Sequence, residues 1–218
     1  MEESAMKAVT LHALDAVRPA APERAPAAAE PGMRIAYGRD EEIFGEGEAV
    51  GCVYRVTSGA VRTFRMLSDG RRQIVEFHTA SDVFGLDGQD RHALGAEAVG
   101  ECVVQVMRRD AFLNEQGSEA AIQALLDKFR RAQAHMLLLG RHTACERVAA
   151  FLLGFRERVG GDVVDLPMSR QDIADYLGLT IETVSRTFTQ LQAAHQIDLP
   201  TCRRVVLRNR AALERLCE

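Results

Sequence analysis

No run of about 18 apolar residues, the least that spans a bilayer as a helix, occurs in the 218-residue chain. The N-terminus also lacks the charged-then-apolar profile of a secretory signal, so a cytoplasmic protein without membrane attachment is expected. Cysteines are few and unpaired in sequence. Cys52, Cys102, Cys145, Cys202 and Cys217 are odd in number, scattered and free of any C-x-x-C pair, which points away from a disulfide framework or a zinc site and towards small core residues. Paired carboxylates, a nucleophile–histidine pattern and a phosphate-cradling glycine loop are missing from any supporting context, so an enzyme is not expected. A general excess of positive charge is lacking too. The formal net charge of −4 argues against indiscriminate polyanion binding, and any nucleic-acid partner must be recognised through local charge.

What is present is a compact motif at residues 169–191, SRQDIADYLGLTIETVSRTFTQL. Ser169 and Asp172 have the spacing of a capping box, which predicts a helix start. Ile173, Ala174 and Leu177 form its inner face, and Gly178 can take positive φ to end it. Leu179 is expected to plug the angle before a second helix capped by Thr180. Ile181, Val184, Phe188 and Leu191 then recur at three- and four-residue spacing as a buried stripe. Two short helices joined by a glycine turn are the pattern of a DNA-binding helix-turn-helix.

Opposite that stripe stand Glu182, Ser185 and Arg186, at i, i+3 and i+4, which project together from the first two turns of the second helix. Arg186 can donate twice to guanine O6 and N7, Glu182 can accept from a cytosine or adenine amino group, and Ser185 can meet a thymine edge. The plainer reading is a solvated ion pair between Glu182 and Arg186, worth a few tenths of a kcal/mol. The surrounding caps, glycine and apolar stripes favour base reading. From residue 181 to 210 the cations Arg186, Arg203, Arg204, Arg208 and Arg210 outnumber the anions Glu182 and Asp198, five minus two, giving a local +3. Candidate phosphate contacts are Ser169, Arg170, Thr180, Thr183, Arg203 and Arg204.

The rest of the chain supplies a frame. Residues 1–32 are alanine- and proline-rich with little to bury and read as a mobile arm. Residues 33–117 carry short apolar runs broken by glycine turns. Alternation of Val53, Arg55 and Thr57 with Tyr54, Val56 and Ser58, and a Ser68-Asp69-Gly70 turn, predict an antiparallel β-roll. Residues 118–142 read as one long helix in which Ile122, Leu125, Phe129, Ala132, Met136 and Leu139 follow a 3.5-residue repeat, a seam for homodimerisation. Leu126, Leu137 and Leu138 are left to pack on the β-domain. Residues 143–218 hold a helix at 144–159 closed by Gly160 and Gly161, the helix-turn-helix, a β-hairpin wing around Pro200-Thr201-Cys202, and a last short helix. The class is α+β: an N-terminal antiparallel β-roll, a long dimerisation helix and a C-terminal winged helix-turn-helix.

These residues resemble bacterial transcription regulators of the CRP/FNR superfamily, and within it the FixK group. The likeness rests on the Gly47-Glu48 run near Val50, DGRRQIVEF at 69–77 and DVFG at 82–85, on the long helix, and on IETVSR at 181–186. The resemblance implies a cyclic-nucleotide-binding-like jelly roll and a dimer reading TTGAY-N4-RTCAA-type palindromes through Glu182, Ser185 and Arg186. It also implies recruitment of RNA polymerase, through surfaces such as the turn at 67–71 and the segment near Gly160, at genes of low-oxygen or nitrogen-fixation physiology. Departures bear on the effector. His92 and Ala93 stand where cyclic-AMP receptors of the superfamily carry a phosphate-binding Arg-Ser pair, and Asp82-Val83 replaces Gly-Glu. A cyclic phosphate buried without that arginine would cost several kcal/mol. Cysteines for an oxygen-sensing iron–sulfur cluster are missing near the N-terminus, and His78 and His92 stand singly as haem ligands. No cofactor is therefore expected. Control by synthesis, proteolysis or thiol chemistry at Cys202 is one expectation, and a ligand-gated regulator is the alternative.

Overall fold

The computed structural model of the chain describes residues 32–115 and 117–217. Two four-stranded antiparallel sheets form the β-roll. One has the order β1 (Met33–Tyr37), β8 (Cys102–Arg108), β3 (Cys52–Ser58), β6 (Val83–Phe84). The other runs β2 (Glu42–Phe44), β7 (Gly95–Ala98), β4 (Ala60–Met66), β5 (Arg72–Thr79). Between the sheets lie Phe44, Val56, Val61, Phe84, Ala96, Ala98, Cys102 and Val104, all buried. β4 and β5 turn at Gly70, whose φ of +83° is open to glycine without strain, and Leu67 and Arg71 close the turn backbone to backbone.

Strict alternation fails along β3, because both sheet faces are covered. Val56 faces the roll interior, whereas Val53 packs with Met107, Phe112 and Ala121 beneath a helix the sequence reading missed, α1 (Arg109–Glu115). After it comes α2 (Gly117–Leu139). Its own-chain face is Ala121, His135 and Leu138, with Arg131 bridging to β5; Leu126 and Leu137, expected there, are instead exposed. On the outer side Ile122, Leu125, Phe129 and Met136 are exposed, Phe129 to 60% and Met136 to 68%, and Leu139 is half-buried.

α3 (Ala144–Val159) starts at the Thr143 cap and stops at Gly160, φ +79°. It buries Val148, Phe151, Leu152 and Phe155 against α4 (Arg170–Leu177) and α5 (Ile181–Ala193). The wing is larger than a hairpin. β10 (Ile197–Asp198) and β11 (Arg204–Leu207) pair as expected, but β11 also pairs with β9 (Val163–Asp165), giving a three-stranded sheet. α6 (Arg210–Arg215) closes the chain. Of the cysteines, Cys102 is buried in the roll core and Cys145 and Cys217 are half-buried against the core of the C-terminal half, whereas Cys52 is half-buried and Cys202 is exposed. Among the described residues no His, Cys, Asp and Glu group could hold a metal ion, and no helix is long and apolar enough to cross a membrane.

Candidate nucleic-acid interface

Local chemistry fixes both helices of the motif. The Ser169 hydroxyl accepts from the Asp172 N–H at 3.1 Å, and the Asp172 carboxylate accepts from the Ser169 N–H at 3.0 Å, a complete capping box. Gly178 is left-handed at φ +63°, ψ 41°, and its N–H donates to the Ala174 carbonyl, ending α4. Thr180 accepts from the Thr183 N–H and so opens α5. Val184, Thr187, Phe188 and Leu191 are buried behind α5, and Leu179 packs into the same core. Ile181 departs from the expected stripe. It is 37% exposed, since the first turn of α5 projects beyond the core.

Glu182, Ser185 and Arg186 share the solvent face of α5, all exposed. The Glu182 carboxyl is held below its ordinary range first by its own backbone N–H, then by the Thr180 hydroxyl and by the nearby positive charge of Arg186. It is therefore a fixed anion at neutral pH, available as an acceptor. The face continues through Thr189 and Gln190, also exposed and one turn beyond Ser185 and Arg186. Sequence reading missed these two, although the i+4 spacing carries them.

Phosphate candidates divide. Ser169 and Thr180 spend their hydroxyls on caps, and Thr183 is half-buried beside Thr180. Arg170 lies over the Phe188 ring with its guanidinium carbon 3.2 Å from the centroid, and burial pulls its pKa down to about 10. One of its nitrogens, Nη1, is buried without a partner. Arg204 gives its fork to Asp165 at 2.7 and 2.9 Å, Arg208 pairs with Asp198, and Arg210 with Glu214. Three of the five cations counted in the local +3 are thus matched. Among the described residues Arg186 and Arg203 have no carboxylate within 4.0 Å, which concentrates the free charge on α5 and the wing turn. Cys202 is exposed in that turn.

A second feature lies between the roll, α2 and α3. A cavity of about 810 Å³ is lined by Phe44, Thr63, Glu76, His78, Phe84 and Arg131, among others. His78 is fully buried and burial drives its pKa down to about 3, so it is neutral. Its Nε2 meets the Thr63 hydroxyl at 3.2 Å, while Nδ1 has no partner. Burial raises the Glu76 carboxyl against the pull of Arg131, which bonds it directly and also lies 3.5 Å from Asp82. His92, at the position where the resemblance puts a phosphate-binding arginine, is instead stacked on Phe44 at 3.8 Å with Nδ1 against Asp87 at 2.8 Å.

Comparison with known proteins matches both halves. Residues 34–116 match the cyclic nucleotide-binding domain family, and residues 146–216 match the Crp-like helix-turn-helix domain family. The nitrogen fixation regulation protein FixK of Azorhizobium caulinodans is 45% identical over 196 residues, covering 85% of this chain and 79% of that protein. The protein of the same name from Rhizobium meliloti is 43% identical over 188 residues, 86% and 88% of the two chains. Among solved structures, FixK2 from Bradyrhizobium japonicum superposes with a TM-score of 0.81 at 44% identity, covering 87% of this chain and 98% of that one.

Proposed function

Because the chain belongs to the CRP/FNR family of transcription regulators, we propose that it is a homodimeric activator that reads a TTGAY-N4-RTCAA-type palindrome. In this reading Glu182, Ser185 and Arg186 of each protomer meet base edges in the major groove, and Arg203 meets phosphate. The observation that carries it is the solvent face of α5, where these three residues stand together on a doubly capped, fully packed helix-turn-helix. Division of labour follows the chain: the roll at 33–117, the dimerisation helix at 118–142 and the DNA-binding domain at 143–218, while the arm expected at 1–32 lies outside the described residues but for Gly32. The apolar side of α2 supports a dimer through Ile122, Leu125, Phe129, Ala132, Met136 and Leu139, since large side chains there are left uncovered on one protomer. RNA polymerase contact is assigned to the exposed turn at 67–71 and to the segment around Gly160. Target genes of low-oxygen and nitrogen-fixation physiology follow from the likeness to the FixK proteins.

Cyclic-nucleotide and iron–sulfur control do not fit the residues present. His92 is committed to Asp87 and Phe44, and Arg131 to Glu76 and Asp82. A ligand-gated reading is favoured by one observation, the cavity with the unpartnered Nδ1 of His78. Purified, ligand-free protein separates the two. Tight binding to the palindrome at physiological salt, lost when about five base pairs are added at its centre, supports the constitutive dimer; binding that appears only with an added effector supports the gate. Thiol control is assigned to Cys202, where oxidation to an acid adds negative charge beside phosphates. Peroxide should weaken binding of the wild type and leave Cys202→Ala unaffected, and equal footprints from treated and untreated wild type would remove the idea.

A further inference from the structure

The first helix of the DNA-binding motif is tied to the β-roll, to α2 and to α3. A helix leaves its last four carbonyls without intrahelical partners. In α4 the Ala174 carbonyl takes both the Gly178 and Leu179 N–H groups, and the remaining three are each claimed by a side chain from a different element. Gln73 of β5 donates to the Asp175 carbonyl at 2.8 Å, Nε2 of His135 on α2 donates to that of Tyr176 at 2.8 Å, and Arg147 of α3 donates to that of Leu177 at 3.2 Å. The His135 and Tyr176 rings also stack, 4.0 Å apart and 4° from parallel.

The other end of α4 is held by charge. One oxygen of the Asp172 carboxylate completes the capping box, and the other accepts from Arg62 at 3.1 Å and Arg72 at 2.7 Å, both from the β-roll. Arg72 continues to Asp175 at 3.0 Å, and Arg62 to Glu97 and Asp40. The Arg62 and Asp172 side chains are 4% and 6% exposed, so these contacts are directional and poorly screened by salt. By contrast, residues 140–143 are all that joins α2 to α3 covalently.

We infer that Gln73, Arg72 and His135 are positioning residues that fix the angle of α5 relative to α2 through α4, and so set which distance between half-sites the dimer accepts. Gly178 and Leu179 couple α4 directly to α5, so a rotation of α4 is a rotation of the reading face. Adding one base pair between half-sites turns one against the other by about 34°. A stiffly held α5 rejects that turn, and a loosely held one follows it. The inference rests on the palindrome reading, and on the half of the molecule that does not touch DNA.

The test is binding of full-length protein to palindromes whose centres are three, four, five and six base pairs long. Two variants are compared with the wild type. Arg72→Met with Gln73→Met cuts the β5 ties while Arg62, the capping box and α5 stay in place, and His135→Leu alone cuts the α2 tie. Wild type should favour one centre length by at least tenfold over its neighbours. Each variant should narrow that preference to about threefold, with its preference among half-site bases unchanged. A purely structural role would lower the melting temperature and leave the spacing preference intact; that outcome in both variants overturns the inference alone. A wild type indifferent to centre length overturns the palindrome reading and the inference with it.

Discussion

Truncating Phe129 to alanine should separate two protomers while leaving each one folded. The ring is 60% exposed on a single chain. A phenylalanine side chain presents about 200 Å², so about 120 Å² per protomer is left for a partner to cover. Across a dyad the two copies hold about 240 Å², which at about 25 cal/mol/Å² sets a ceiling near 6 kcal/mol. Ordering costs and incomplete burial reduce this, and the pair should contribute about 2 to 4 kcal/mol, as central aromatic anchors do. The dimer dissociation constant should therefore rise roughly 30- to 1,000-fold. Within one chain the ring is largely free of packing, so urea unfolding at concentrations where both proteins are monomeric should differ by less than about 0.5 kcal/mol. Sedimentation equilibrium over a concentration series reads the first number. A dissociation constant within threefold of wild type would refute the seam assigned to α2.

Arg186→Ala should cost about 1 to 3 kcal/mol per half-site and flatten the preference for the half-site guanine, read by competition with single-base variants. Retained guanine preference would mean that α5 reads DNA through other residues. Arg203→Ala should weaken all sequences alike and lower the salt slope by about one unit per protomer in a titration of affinity against salt. For His78, the folded protein favours the neutral ring, its pKa standing at about 3 against the ordinary 6.5. Its contribution is full above pH 6.5 and is lost as pH falls from 6.5 towards 3, at about 1.4 kcal/mol per unit. Between pH 7.5 and 5, wild type should lose about 2 kcal/mol more than His78→Phe in urea unfolding. Equal losses would show that the ring protonates freely in the fold.

The parts legible in the sequence are those that local chemistry decides. Ser169, Asp172, Gly178 and Thr180 act within four residues of themselves, so their caps and turn could be read directly, as could the Ser68-Asp69-Gly70 turn. Misreadings came where a distant partner decides. β9 is three residues long and exists through its pairing with β11, some forty residues on. That same pairing puts Asp165 beside Arg204 and takes up a fork expected to face phosphate. Leu126 and Leu137 follow a helical repeat, but the inner face of α2 expected for them is taken by the ring of His135, on Tyr176 of α4, and the fork of Arg131, on Glu76 of β5. Asp172 shows in the sequence only as a cap, because its second oxygen answers to Arg62, 110 residues away.

The central claim is that α5 of two protomers reads one symmetric DNA sequence, and selection of bound sites from random DNA by the full-length protein tests it most directly. The account predicts enrichment of TTGA and its inverted copy TCAA at one fixed spacing, with loss of the guanine from the motif when Arg186→Ala is used. Enrichment of a single unpaired element, of an unrelated sequence, or of nothing above the starting pool would contradict it.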